Sequence, residues 1–250
     1  MSNPAAARVG RAAALTGAGL MTAASVAAAI AYTGTEGQPY SPLNHWVSEL
    51  GELGVSELAV VFNIGLVAGG LGFAAFMAGL ALDARDRLRW VYGPIGVIAG
   101  IAGALVGVFP MNLREIHGLV ALTFFNLGWI AVATASVPLV VGHDRRFPRW
   151  LALLGGLAIV AFLAFLYEFR VDPIVLQSAL GAPVERPDVW LATMLEWAVI
   201  VAIIGWTVVA AALWHRHAGE GPHEHADAGA GAATGGPSEG RIDTSREARA

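Results

Sequence analysis

The chain has 250 residues, 56% of them apolar and only 14% charged, with a mean hydropathy of +0.61. Soluble domains run at about 45–50% apolar and about 25% charged, so a water-soluble enzyme is excluded as a starting point. Cys and Lys are both absent, all fifteen basic residues being Arg. That removes disulfides, thiolate metal sites, Cys nucleophiles and lysine chemistry, and the net charge of −4 with pI near 5.9 argues against nucleic acid as a partner.

Six runs reach the roughly 20 apolar residues needed to cross a hydrocarbon core: 12–33, 58–82, 90–110, 118–142, 150–167 and 189–214. Irregular backbone cannot face lipid, and no alternating ten-residue segments of a β-barrel are visible. The expected fold class is therefore all-α: a polytopic membrane protein with a six-helix transmembrane bundle. The expected organisation is a short N-terminus (1–11), the membrane domain (12–214) and a disordered tail (215–250) too poor in apolar residues to bury a core.

Arginines orient the bundle. With the N-terminus inside, Arg8, Arg11, Arg85, Arg87, Arg89, Arg145, Arg146, Arg149 and Arg216 fall on the cytoplasmic side, against Arg114, Arg170 and Arg186 outside. Such a bias predicts cytoplasmic termini in a multi-pass protein of the cytoplasmic membrane. Trp90, Trp150 and Trp214 fall at inner boundaries and Trp46 and Trp190 at outer ones, as in an aromatic belt. A competing reading makes the first run a cleaved signal peptide, with Arg8 and Arg11 before an Ala-rich stretch.

Along the third run Gly93, Gly96, Gly100, Gly103 and Gly107 share one helical stripe, and Gly65 and Gly69 repeat the pattern on the second. Small residues at this spacing let helix backbones approach, so the third helix is expected to be central. The contact is either internal packing or a homo-oligomer seam.

Polar residues near the spans gather on the predicted outer side, and charged groups within membranes usually mark function. Residues 44–54, read as a short amphipathic helix on the interface, present His45, Ser48, Glu49 and Glu52 on one face, with Asn63 two turns into the second span. Arg114 and His117 open the fourth span, Asn126 lies deeper in it, Glu168 and Arg170 close the fifth, and Glu185 and Arg186 precede the sixth. Glu196 is the one carboxylate well inside a span, about 10 Å below its boundary at 1.5 Å per residue. It must be protonated, paired or hydrated, and Arg114, Arg170 and Arg186 lie on the correct side to pair with it.

This set reads either as an outward-facing polar pocket or as salt bridges that lock the loops. His45, His117, Glu49, Glu52 and Glu196 include metal-ligand types, but no tight ligand spacing supports a metal, and no cofactor is expected. Ser48 has the chemistry of a nucleophile, though Ser-Glu-Leu-Gly reads equally as a helix start. The catalytic candidates are His45, Ser48, His117 and Glu196. In the tail, His215, His217, His223 and His225 form two His-x-His pairs, a weak metal motif or a solvated silent one.

Three separated elements carry a resemblance. The run Tyr40-Ser41-Pro42-Leu43-Asn44-His45-Trp46-Val47-Ser48-Glu49-Leu50-Gly51 leads into Phe62-Asn63, Gly107-Val108-Phe109-Pro110 is followed by His117, and Gly181-Ala182-Pro183-Val184-Glu185-Arg186 precedes the last span. In this order they resemble the bacterial and archaeal membrane family named Domain of Unknown Function 998, over roughly residues 12–214. Glu49 departs from it by standing where Asp is common. The resemblance implies six spans and no established activity.

Ser48, Glu49 and His117 are also similar in pattern to a eukaryotic six-helix family that includes autophagy modulators and GPI-anchor lipid remodelling factors, which implies lipid headgroups as partners by analogy. The expected function is binding or organising a lipid, a small ligand or a membrane-protein partner at the outer face. The rivals are a membrane-embedded enzyme acting on lipid headgroups and a small proton-coupled transporter using Glu196.

Overall fold

Backbone amides find no partner in hydrocarbon, so an apolar run entering a membrane must satisfy them within itself as a helix. The computed structural model describes residues 3–182 and 184–214. It contains α1 (Pro4–Ala31), α2 (Ala59–Asp83), α3 (Arg89–Val108), α4 (Arg114–Val140), α5 (Leu151–Val171), a short α6 (Pro173–Ala179) and α7 (Leu191–Trp214). All but α6 are long and apolar enough to cross a membrane, and no strand occurs among the described residues. The all-α six-helix bundle expected from the sequence is the fold. The tail histidines, from His215 on, lie outside the described residues.

Capping chemistry moves some helix ends from their expected places. The Asn3 side chain accepts the Ala6 N–H at 3.1 Å and Pro4 takes the first helical position, so α1 starts at Pro4 rather than near residue 12. The fifth helix continues past residue 167 to Val171. Asp172 then caps α6 by accepting the Ile174 N–H at 2.8 Å, again followed by a proline. A side-chain acceptor before a proline is a standard helix start.

The long helices pack in a closed circuit: α1 on α2, α2 on α3, α3 on α4, α4 on α5, α5 on α7, and α7 back on α1. Glycines make the first two contacts close. A Cβ on Gly17 would stand 2.6 Å from the Ala68 carbonyl oxygen, and one on Gly100 would stand 2.6 Å from the Ala74 nitrogen. Gly65, Gly69, Gly72 and Gly79 face α1 while Gly70 faces α3, so α2, not α3, has glycine seams on both flanks. The stripe on α3 was legible, but a stripe says only that a helix has a close neighbour.

The outward surface is apolar, with Ile30, Leu119, Leu153 and Val160 exposed, as a lipid-facing surface requires. Trp90 and Trp150 are exposed on it, whereas Trp46, Trp190 and Trp214 are buried. These three do not belong to an interfacial belt. Their indole N–H groups donate to Ser178 Oγ, Asp172 Oδ2 and Asp83 Oδ2 respectively, and an indole with an internal partner can leave the interface.

One end of the bundle is closed by Asp83, the last residue of α2. Its Oδ1 accepts the Asn3 N–H at 2.9 Å, and its Oδ2 accepts Trp214 Nε1 at 3.1 Å and Arg146 at 3.2 Å. Arg146 also pairs with Asp144 at 2.7 Å. A single carboxylate thus ties the start of α1, the end of α2, the end of α7 and the α4–α5 connection. Just inside it, Phe76 meets Trp206 and Trp214 edge to face at 5.8 and 5.9 Å.

Candidate functional site

At the opposite end, residues 40–54 fill the mouth of the circuit. The segment is not an interfacial amphipathic helix. Its helical part is a single 3₁₀ turn, Val47–Gly51, and His45, Trp46, Val47, Glu49, Leu50 and Gly51 are all buried. Its apolar side chains and Glu49 point into protein together because Glu49 meets an arginine there, which removes the reason to stay at the interface.

The pins come from separate elements. Glu49, only 2% exposed, accepts Arg186 Nη1 on Oε2 at 2.9 Å. Arg186 Nη2 lies 2.8 Å from Oε1, close enough for charge attraction but off-angle for a second hydrogen bond. Asn63 of α2 donates to the Gly51 carbonyl at 2.9 Å. Asn112 clasps Leu53, accepting its N–H at 2.7 Å and donating to its carbonyl at 3.0 Å. The Trp190 backbone N–H donates to the Leu43 carbonyl at 2.7 Å.

Glu196 of α7 completes the set. It is 8% exposed, and its Oε2 accepts the Val47 N–H at 2.7 Å. None of Arg114, Arg170 and Arg186 pairs with it among the described residues. The amide at the start of a 3₁₀ turn is an orphan donor, and it takes the place foreseen for an arginine.

Two cavities adjoin this point. The first, of about 100 Å³, lies among α1, α2, α3, α4 and α7, and is walled mainly by apolar side chains such as Ala14, Phe62, Phe73, Phe124 and Ile203. It reaches from Glu196 to Thr207, eleven residues along α7 and hence about 16 Å at 1.5 Å per residue. The second, of about 80 Å³, is walled by Trp46, Met111, Leu122, Phe165 and Phe169. Ser48, His117 and Glu196 line both. The aromatic stack of Phe76 and Trp214 stands beyond the deep end.

Within the shared wall, His117 Nδ1 lies 2.8 Å from the Phe109 carbonyl. A carbonyl only accepts, so Nδ1 carries the hydrogen and the neutral ring keeps Nε2 as an acceptor. Ser48 Oγ has only the Met111 thioether, at 3.6 Å, a weak acceptor. Among the described residues no donor reaches Glu196 Oε1, yet that oxygen is not sealed from space.

Of the thirteen polar residues singled out in the sequence, Asn126 is exposed and donates to Leu122 within its own helix, and the other twelve divide. Ser48, His117 and Glu196 converge on the cavities, and Arg114 lines the second of them. Glu49, Arg186 and Asn63 are spent on holding the segment in place. Glu52 is half-buried, and burial raises its carboxyl above the ordinary 4.5 while Arg114 opposes the rise. Glu168, Arg170 and Glu185 join neither cavity.

His45 leaves the site altogether. Its ring packs against Tyr32 and Tyr40 at 5.6 and 5.4 Å. Tyr40 in turn accepts Trp197 Nε1 at 2.8 Å and donates toward the His45 and Trp46 carbonyls. Burial, and then the Glu49 charge, push the Tyr32 phenol up to about 12; burial also raises that of Tyr40. The pocket is correspondingly not carboxylate-rich: Glu196 is its one acidic lining residue. Nor do any three of His, Asp or Glu among the described residues gather as a metal ion requires.

Sequence reasoning missed Asp83, Asn112, Tyr40 and Trp197. Asp83 carried a signal, being an acid at the end of an apolar run just before Arg85, Arg87 and Arg89. Asn112 carried none beyond its polarity.

A family model described as a protein of unknown function, DUF998, matches residues 19–214. No curated protein and no solved structure matches the chain.

Proposed function

For this chain, which belongs to the DUF998 family, we propose that the cavities hold a lipid-like amphiphile, its head against Ser48, His117 and Glu196 and its chain along α7. The observation that carries this is the shape of the first cavity, polar at one end and apolar down to Thr207. Its length of about 16 Å is half of a hydrocarbon core of about 30 Å, which is one leaflet and the reach of one acyl chain. The arginine asymmetry supports a polar end in the outer leaflet of the cytoplasmic membrane, with both termini inside. Transport is the poorer reading, because Phe76 and Trp214 stand between the deep end and the Asp83 cluster.

The test is lipid analysis of the full chain purified in mild detergent. Wild type should retain an amphiphile at near one equivalent, and Ala121→Trp, which fills the wall common to both cavities, should lose it while still eluting as a monodisperse folded protein. Equal retention by the two proteins would sink the proposal. A C-terminal reporter fusion active on the outside would reverse the orientation.

A further inference from the structure

The polar end of the cavity also selects among heads. Resting on the amphiphile reading above, we infer that the ligand is a single-chain amphiphile whose head donates hydrogen bonds and bears no negative charge, a hydroxyl or an ammonium.

The argument is a census of what faces the shared space. Glu196 offers Oε1, an acceptor with no donor among the described residues, while its Oε2 is held by Val47. His117 offers Nε2, an acceptor because Nδ1 gives its hydrogen to Phe109. Ser48 offers a hydroxyl whose present partner is a thioether at 3.6 Å. The nearest backbone donor, the Val47 N–H, is already taken at 2.7 Å. No cation among the described residues lines the first cavity, and Arg114 of the second is exposed and neighbours Glu52.

A carboxylate or phosphate head in the first cavity would therefore enter with its charge desolvated and with no cation among the described residues to pair with it. Such a group is penalised unless it is paired. A hydroxyl or ammonium head meets the reverse situation, since it fills acceptors that otherwise stay idle. Each idle acceptor that gains a donor favours such a head, so head discrimination of about tenfold or more is the expected scale.

The experiment is competition by native mass spectrometry on the full-length protein, using tetradecanol, tetradecylammonium, myristate and tetradecyl phosphate at equal free concentration. The alcohol and the ammonium should each outcompete both anions by about tenfold. Equal binding of all heads, or preference for either anion, overturns this inference and leaves the amphiphile reading standing. Failure of every compound to bind overturns the amphiphile reading itself. Glu196→Gln separates the two accepted heads: it should weaken the ammonium by about tenfold and the alcohol by less than about threefold. An unchanged ratio of both to myristate in that variant would also overturn the inference. Because the comparison is between ligands on one protein, a loss of stability in the variant does not obscure it.

Discussion

Asp83 and Glu196 are equally buried, each at 8% exposure, and they stand at opposite ends of the same bundle. Asp83 accepts donors from Asn3, Trp214 and Arg146 on its two oxygens and lines neither of the two cavities. Glu196 accepts one backbone N–H and opens onto two cavities. A buried carboxylate costs free energy unless its lone pairs are filled. Where they are filled by donors from three other segments of the chain, the group is a clamp. Where one oxygen is left on an empty space, the fold is carrying the cost without the return, as binding sites commonly do.

The two seams that join these ends set the largest expected effect. Gly100→Leu must force Ala74 backbone away from its 2.6 Å approach, and with no flexible side chain to yield, loss of the assembled bundle is expected, seen as aggregation on size exclusion. Leu105→Ala, at a half-buried position, should leave a monodisperse peak. Similar profiles for the two variants would mean that the seam can slide.

Next in size is Asp83→Ala. It leaves the buried Trp214 donor and the Asn3 N–H unpaired and strips one partner from the half-buried Arg146, a loss of about 3 kcal/mol, the low end for broken buried pairs, read as a large drop in melting temperature. Glu196→Gln should shift stability by less than about 1 kcal/mol, since the amide oxygen still accepts the Val47 N–H. If instead Glu196→Gln matches Asp83→Ala in thermal melts, the contrast between clamp and site is gone.

The smallest effect is a pH dependence at Glu52. Burial raises its pKa from 4.5 in the folded state, so its stabilising share is complete below that value and fades as pH rises through the raised one. Melting curves of Glu52→Gln against wild type between acid and neutral pH should converge at low pH, with the variant slightly the more stable at neutral pH. Wild type gaining on the variant as pH rises would reverse the assignment.

How much of this the sequence told depends on range. Six spans follow from composition over some twenty residues at a time, and the glycine stripe follows from helical period; both are local. Glu196 was marked by its own depth in an apolar run. What was not legible is pairing across the chain. Arg186 reaches Glu49 rather than Glu196, and residues 44–54 turn inward because Asn63, Asn112 and Arg186 await them. An amphipathic pattern in so short a segment fits a buried turn with partners as well as an interfacial helix. His45 was misread for the same reason: an imidazole among tyrosines leaves no trace in spacing.

Closure of the circuit by α7 on α1 sets the order in which the molecule comes into being. The α1–α2 hairpin has its own glycine contacts and is complete as soon as both helices have left the ribosome. Val47 meets Glu196 across 149 positions of chain, and at about 5–20 residues per second of synthesis the wait is on the order of ten seconds. For that interval the segment that will cover the cavity has neither its carboxylate nor its arginine, and the interior is open on the side where α7 will lie. An amphiphile of the kind proposed above would find its widest entrance from the surrounding bilayer then.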